Sequence, residues 1–466
     1  MNSRRATFFF RWFHGKSFFL AAGVSLALAV FLLPEIIQAQ PSFIIPLLSF
    51  SLQNTPSAGL VLGPDNELYG VADNSGSITN PGNIFKLNRD GTGYRIIHQF
   101  TNNPDGAHPD SPLLLCNDGL FYGTTPHGGS NNVGTIFRIS LNGSLYQVLH
   151  QFNTNANETG EPESLCQGVD GVLYGTAFIG GANGAGSIFK INPDGTGYQV
   201  LYNCTNTPAG VFQAGDGLLY SATGAGGALG YGTVFRLDTN GGSYQVLHTF
   251  TNTPDGSDPV QVIQAGNNLL YGVTYGGGIS GLGTVFQLNP DGSDYQILHN
   301  FTNSPDGALP IAGLAKAWGG TLYGTTYYGG SVGAGNQAQG IIYRIDPSGA
   351  YSVVSSSSTN HQSSFLLLAA PSSDNSGVLY GITAYSAFAP VTIFSLVVTP
   401  GLTITPVNNQ AVVVWPAWAM NYVLQTTTNL ASGAWTTMTN AEQVVGIRLP
   451  DTGAPTNSYF RLVWPQ

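Results

Sequence analysis

The chain has 466 residues, of which only 8% are charged and 62 are glycine, and its formal net charge is −10. So sparse and acidic a charge balance excludes a basic nucleic-acid binder and a charge-laced coiled coil. Hydrophobic residues reach 42% and fall in short runs rich in Val, Ile, Tyr and Phe, which excludes a disordered chain and marks strands.

The first forty residues differ from the rest. Arg4, Arg5, Arg11 and Lys16 precede an uncharged stretch from Ser17 to Leu33, and Ile37-Gln38-Ala39 then ends on a small residue. This succession predicts a signal peptide, residues 1–39, cleaved after Ala39. A retained membrane anchor is the alternative, but about seventeen apolar residues sit at the short edge of a bilayer span. Cleavage takes four of the 14 basic residues and one of the 24 acidic ones, leaving a formal charge of −13. The mature chain is therefore expected to be secreted or held at the cell surface. It should have no membrane span and no nucleic-acid partner.

From residue 43 onward three landmarks recur in fixed order. Leu-Tyr-Gly or a variant centres on Tyr69, Tyr122, Tyr174, Tyr220, Tyr271, Tyr323 and Tyr380. A Gly-Thr-Val-Phe-like segment ends at Phe85, Phe137, Phe189, Phe235, Phe286, Tyr343 and Phe394. A Tyr-Gln-Val-Leu-His-x-Phe-like segment begins at Tyr94, Tyr146, Tyr198, Tyr244, Tyr295 and Tyr351. With one more apolar run before each Leu-Tyr-Gly, every unit has four short strands, A to D. Turns such as Asp118-Gly119 join A to B, and turns such as Asn289–Gly292 join C to D. Asn, Asp and Gly suit these hairpins because they tolerate positive φ. Four-stranded antiparallel units at a period of about fifty residues are propeller blades.

Strands A, B and C occur seven times, and D follows only the first six. The segment Phe43–Phe50 lies ahead of the first A strand and ends in the same Phe position. It is expected to complete the seventh blade beside Thr392–Val397 and so join the ends of the ring. The fold class is thus all-β: a seven-bladed propeller over 43–398, closed by the N-terminal strand. Beyond it, strand-like runs at Ala411–Trp415, Tyr422–Thr426 and Ser458–Trp464 predict a small immunoglobulin- or fibronectin-like β-sandwich over 401–466, with Trp415, Trp435 and Tyr422 in its core.

The recurring His98, His150, His248 and His299 invite a metal reading. Strand alternation places each on the face of the Tyr four residues before and the Phe two after, where it should pack between blades. Cys116, Cys166 and Cys204 have no regular spacing, and Cys204 stands where other repeats carry Phe, as a small buried apolar residue.

Segments such as Phe250-Thr-Asn-Thr-Pro-Asp-Gly256, Leu270-Tyr-Gly-Val-Thr-Tyr-Gly-Gly-Gly278 and Gly283-Thr-Val-Phe-Gln-Leu-Asn-Pro-Asp-Gly292 resemble the GloVer tandem repeat. The resemblance covers about residues 50–398. It implies a bacterial protein that is exported and surface-associated, and it carries no established activity or catalytic residues. The tail lacks a Leu-Pro-x-Thr-Gly motif, a terminal apolar span and a basic end, so it departs from the better-known anchors.

Connectivity puts the tight A–B and C–D turns on one face and the longer B–C and D–A loops on the other. Variable loops on a rigid scaffold are where function usually sits. Tyr275, Tyr327 and Tyr328 follow strand B at comparable distances, and Asp255 and Asp306 lie in the D–A loops that enter the same two blades. These five residues are the candidate ligand-binding set, the tyrosines to stack on a sugar ring and the carboxylates to accept its hydroxyls or hold Ca²⁺. A turn role for the Asp-Gly pairs competes with this. No catalytic set, metal cluster or phosphate loop is evident and no cofactor is expected. The reading is a binding or display scaffold for an unknown ligand, with carbohydrate foremost. The alternative is a carbohydrate-active hydrolase or lyase.

Overall fold

The computed structural model describes residues 43–50, 55–73, 81–153, 159–317, 320–330, 340–356, 365–366, 378–383 and 391–397, together with six strands between 403 and 463. The expected signal peptide lies outside the described residues. Among those residues there are strands, bridges and turns, and no helix long and apolar enough to cross a membrane.

Seven antiparallel sheets follow one another along the chain. The second blade shows the pattern: A is Leu114–Leu115, B is Phe121–Thr125, C is Thr135–Ile139 and D is Tyr146–Gln151, hydrogen-bonded in that order. The fifth repeats it with Ser257–Gln264, Leu270–Gly276, Thr284–Leu288 and Gln296–Asn300. The protein is an all-β, seven-bladed propeller of four-stranded blades.

The Leu-Tyr-Gly motif now has a reason. Its Gly stands directly opposite the Phe of strand C: Gly70 pairs with Phe85, Gly123 with Phe137, Gly175 with Phe189 and Gly272 with Phe286. The Phe ring lies over the glycine so closely that any Cβ there would collide with it. Each of these Phe residues is buried, which is worth about 1.5–3 kcal/mol per ring. The motif's Tyr turns the other way. The Tyr122 hydroxyl donates to Asp118 Oδ2 at 2.7 Å in the A–B turn of its own blade, and lies 3.3 Å from the carbonyl of Pro193 in the next blade's C–D turn. Tyr220 does the same with Asp216 and Pro290. The sparse basic residues of strand C join in: Arg138 Nη1 and Arg236 Nη1 donate to the Pro193 and Pro290 carbonyls at 3.1 and 2.8 Å.

Strand D departs from simple alternation. A β-bulge interrupts it in each of the first six blades, for example between Val148 and His150. The extra residue sends the His to the face opposite the Tyr at the start of the same strand. This corrects the expectation that the two share a face. The His therefore meets the equivalent Tyr of the following blade. His98 stacks on Tyr146 at 3.6 Å, His150 on Tyr198 at 3.9 Å, His248 on Tyr295 at 3.7 Å and His299 on Tyr351 at 3.5 Å. Where the chain carries Tyr202 instead, it stacks on Tyr244 at 4.3 Å. The core is accordingly a series of inter-blade clusters rather than one central mass. Phe100, for instance, packs against Phe137 of the next blade. Cys204 takes the Phe position, is fully buried, and is a free thiol like the other two cysteines.

Phe43–Phe50 is hydrogen-bonded beside Val391–Val397 in a sheet that continues through Val378–Thr383 to Phe365–Leu366. The Ser49 and Thr392 hydroxyls are 2.9 Å apart, and Phe50 packs with Phe85 of the first blade at 6.0 Å. The C-terminal region is a separate unit. It holds two three-stranded antiparallel sheets, one of Thr403–Val407, Gln410–Val414 and Gly446–Arg448, the other of Thr436–Thr437, Val423–Thr427 and Tyr459–Val463. The side chains of the core candidates Trp415, Trp435 and Tyr422 lie outside the described residues.

Two predictions follow from the packing. Removal of residues 43–50 strips the outer strand from the seventh blade and should lower the melting temperature of the propeller; an unchanged melting temperature would show that the strand closes nothing. Tyr343 occupies the position that is Phe in the other six blades, and its hydroxyl is buried without a hydrogen-bond partner among the described residues. Tyr343→Phe should therefore stabilise the protein by about 1 kcal/mol, read as a higher urea midpoint, and a lower midpoint would show that the hydroxyl is paired.

Candidate ligand-binding face

The B–C and D–A loops share one face. Each D–A loop of the form Thr-Asn-x-Pro-Asp-Gly is closed by its own Asp. Asp255 Oδ1 accepts the Thr251 amide at 2.9 Å and its hydroxyl at 2.6 Å, while Oδ2 lies 2.9 Å from His248 Nε2. The phenol of Tyr295, stacked on that His, donates to the Asp255 backbone carbonyl at 2.8 Å. Asp105 is held in the same way by Thr101, His98 and Tyr146. Asp306 is held by Thr302, His299 and Tyr351. Burial would raise the Asp105 carboxyl, but its bonds from His98 and Thr101 outweigh this and lower it. Burial lowers His248 and His299 despite the opposing carboxylates. The structure thus turns the carboxylates of Asp255 and Asp306 into the loops, where their oxygens already have donors.

The tyrosines point outward. Tyr275 and Tyr328 are 39% and 43% exposed, and Tyr327 meets Tyr328 edge-on at 4.5 Å. The Tyr328 phenol is raised by desolvation, then by Tyr327 and Tyr275, which places all three as neighbours. The end of strand B in the third blade adds Phe178, and the B–C loops of the fourth and fifth add Leu229, Tyr231 and Ile279, each at least 39% exposed. An arc of exposed apolar and aromatic side chains therefore crosses blades three to six. A cavity of about 880 Å³ opens on this face. Phe178, Tyr231, Tyr275, Asn206, Glu163 and Asp258 are among the residues that line it.

The innermost part of the face is built on a repeated bracket that the motif analysis did not single out. Pro109, Pro162, Pro259 and Pro310 each pack against a loop glycine of the preceding blade, at Gly82, Gly134, Gly232 and Gly283. The residue before each proline has positive φ: His108 at 57°, Glu161 at 53°, Asp258 at 57° and Leu309 at 54°. Such a backbone costs of order 1–3 kcal/mol for a non-glycine residue. It is offset by an amide bond into the preceding blade, from His108 to Pro81, Glu161 to Val133, Asp258 to Tyr231 and Leu309 to Leu282. The frame is constant while the chemistry varies. Residues after the prolines are Asp110 and Glu163 in blades two and three, then Val260 and Ile311 in blades five and six. The signal was present in the sequence as a proline twelve or thirteen residues before the motif tyrosine, flanked by residues that do not repeat.

The acidic part of this ring is electrostatically tense. Burial, with Asp110 adding repulsion, pushes the half-buried Glu163 up to about 7. Asp110 is raised to about 6 by desolvation and by Asp73, with His127 opposing. Desolvation also raises Asp258. Asp73 itself binds His108, Oδ1 to Nδ1 at 2.7 Å. Among the described residues no group of three or more His, Cys, Asp or Glu has the arrangement of a metal site.

A succession of seven four-stranded antiparallel blades defines the class, a β-propeller. The chain belongs to the Gloeobacter/Verrucomicrobia repeat family, which it matches over residues 38–211 and 207–407. A comparison with curated proteins finds no match. Among solved structures it is similar to an oligogalacturonate lyase from Vibrio parahaemolyticus, at 10% identity and a TM-score of 0.51, over 76% of this chain and 96% of that one. An oligogalacturonate lyase in complex with manganese gives 11% identity and a TM-score of 0.50, over 77% and 96%. A puromycin hydrolase gives 12% and 0.51, over 79% of this chain and 59% of that one. At such identities the likeness is one of fold alone.

The Asp network makes its own prediction. Asp255 is only 8% exposed, and Asp255→Ala leaves the Thr251 amide, its hydroxyl and His248 without their acceptor. The variant should lose about 1–3 kcal/mol in chemical denaturation; an unaltered midpoint would show that the carboxylate is free for other work.

Proposed function

We propose that this chain is an exported, surface-associated binding protein whose propeller takes a carbohydrate on the B–C and D–A loop face. The observation that carries the reading is the cavity of about 880 Å³ bordered by Phe178, Tyr231 and Tyr275, aromatic side chains that remain exposed on a rigid frame. Exposed rings of this kind offer flat apolar faces to sugar C–H groups, and neighbouring Asn and acid side chains offer acceptors for hydroxyls. In this reading the ligand meets Tyr275 at the border of the cavity and extends along the face to Tyr327 and Tyr328, which do not line the cavity itself. Asp255 and Asp306 serve it by fixing the D–A loops on which the face is built. Export is supported by the basic, apolar and small-residue succession of the first 39 residues.

A glycan array probed with the chain from residue 40 onward tests this reading. Tyr275→Ala and Tyr328→Ala should each weaken binding of a captured glycan about tenfold, the effect of losing one stacking contact of roughly 1.4 kcal/mol. No glycan captured, or binding that survives both changes together with Tyr327→Ala, would overturn it.

A further inference from the structure

The charge of the cavity narrows the class of sugar, granted the carbohydrate reading above. Its charged lining residues are Glu163 and Asp258, and among the described residues no Lys, Arg or His lines it. Asp110, on the adjacent bracket, repels Glu163 across the same inner ring. The aromatic residues Phe178, Tyr231 and Tyr275 border these acids. Negative charge is thus gathered in a pocket without a cation of its own, in a protein that places its strand-C cations elsewhere. Arg138, Lys190 and Arg236 are spent on carbonyls of the neighbouring blades' C–D turns.

Three ligand classes respond differently to such a pocket. A uronic-acid chain would bring carboxylates against carboxylates. A neutral sugar would leave the repulsion as it is. A sugar with a free ammonium group would relieve it through charge-assisted hydrogen bonds to Glu163 or Asp258 and through attraction to aromatic faces.

We propose that this cavity binds an amino-sugar unit carrying a free, protonated amine, with Glu163 and Asp258 as the ammonium acceptors and Phe178, Tyr231 and Tyr275 as the walls. The acids select the amine, and the aromatic walls hold the ring irrespective of its charge. Binding should therefore depend on acid ionisation. Glu163 is faced by Asp110, and Asp110 by Asp73, His127 and Glu163, while Asp258 is raised by desolvation alone. Lowering the pH protonates Glu163, raised to about 7, and Asp110, raised to about 6, and removes the charge that attracts the amine.

The test is titration calorimetry on the chain from residue 40 onward with four oligosaccharides of equal length: glucosamine, N-acetylglucosamine, glucose and galacturonate. The glucosamine oligomer should bind at least tenfold more tightly than its N-acetylated counterpart, and the galacturonate oligomer weakest of all. Glu163→Gln and Asp258→Asn should each shrink that preference by tenfold or more while leaving the melting temperature in place. Phe178→Ala should weaken every oligomer alike. From about pH 8 to about pH 5, the range that spans the Glu163 titration, the amine only gains charge, so a fall in its affinity reports the protein's carboxylates. Equal or tighter binding of the N-acetylated or galacturonate oligomer overturns the amine assignment and leaves the carbohydrate reading standing. So does a preference that survives both acid substitutions. Failure of all four oligomers, together with a blank glycan array, overturns both.

Discussion

A histidine from one blade lying flat on a tyrosine of the next is the contact on which the rest of this structure depends. Ring separations of 3.5–3.9 Å recur at four blade junctions, and a Tyr–Tyr stack at 4.3 Å replaces them at a fifth. The stack is more than apolar contact. At three junctions the His Nε2 meets the Asp of the intervening loop, and the partner Tyr donates to that same residue's carbonyl. Two adjacent sheets and the loop between them are tied in one hydrogen-bonded unit, and none of its three members can move without breaking the other two contacts. The bulge in strand D makes this possible, because it separates the His and Tyr of one strand onto opposite faces.

That tie has a consequence for the loop face. A loop pinned by Asp, Thr, His and Tyr cannot drift, so residues carried on it hold their positions relative to the neighbouring blade. The X-Pro-X bracket extends the same order to the inner rim, with its proline seated on a glycine of the previous blade and its preceding amide bonded to that blade's backbone. With the bracket fixed, each change of side chain alters the chemistry of the rim without altering its frame. Acids at blades two, three and five and apolar residues at blade six make the rim lopsided, where a purely structural repeat would leave it symmetric.

The scarcity of charge serves the same division of labour. Arg138 and Arg236 span blades, and buried Lys86 bridges Asp65 and Glu67 at 3.2 and 2.6 Å. The strand-C cations Arg138, Lys190 and Arg236 are committed to the joints between blades, and Lys86 to its own sheet. Desolvation raises Glu163, Asp110 and Asp258 of the rim, and repulsion adds to it at Glu163 from Asp110 and at Asp110 from Asp73.

The sequence by itself determined the number of blades, the four strands of each and which loops share a face. Those properties follow from local rules: period-two alternation, Asp-Gly and Asn-Pro-Asp-Gly turns, and a landmark order that repeats. Tyr275, Tyr327 and Tyr328 could be expected on one stretch of that face, because equal distances from a repeated strand become equal heights on adjacent blades. What it left undecided were side chains whose partners belong to another blade. Alternation put His98 and its equivalents on the wrong face because a bulge adds one residue that no composition reveals. Asp255 and Asp306 read equally as turn residues or ligands until their donors, a Thr four residues back and a His seven residues back, closed around them. His108, Asp110, Glu163 and Asp258 belong to none of the repeated landmarks. Only the tertiary structure decided that they face one rim, since their meeting depends on several blades, each about fifty residues long, turning around a common axis.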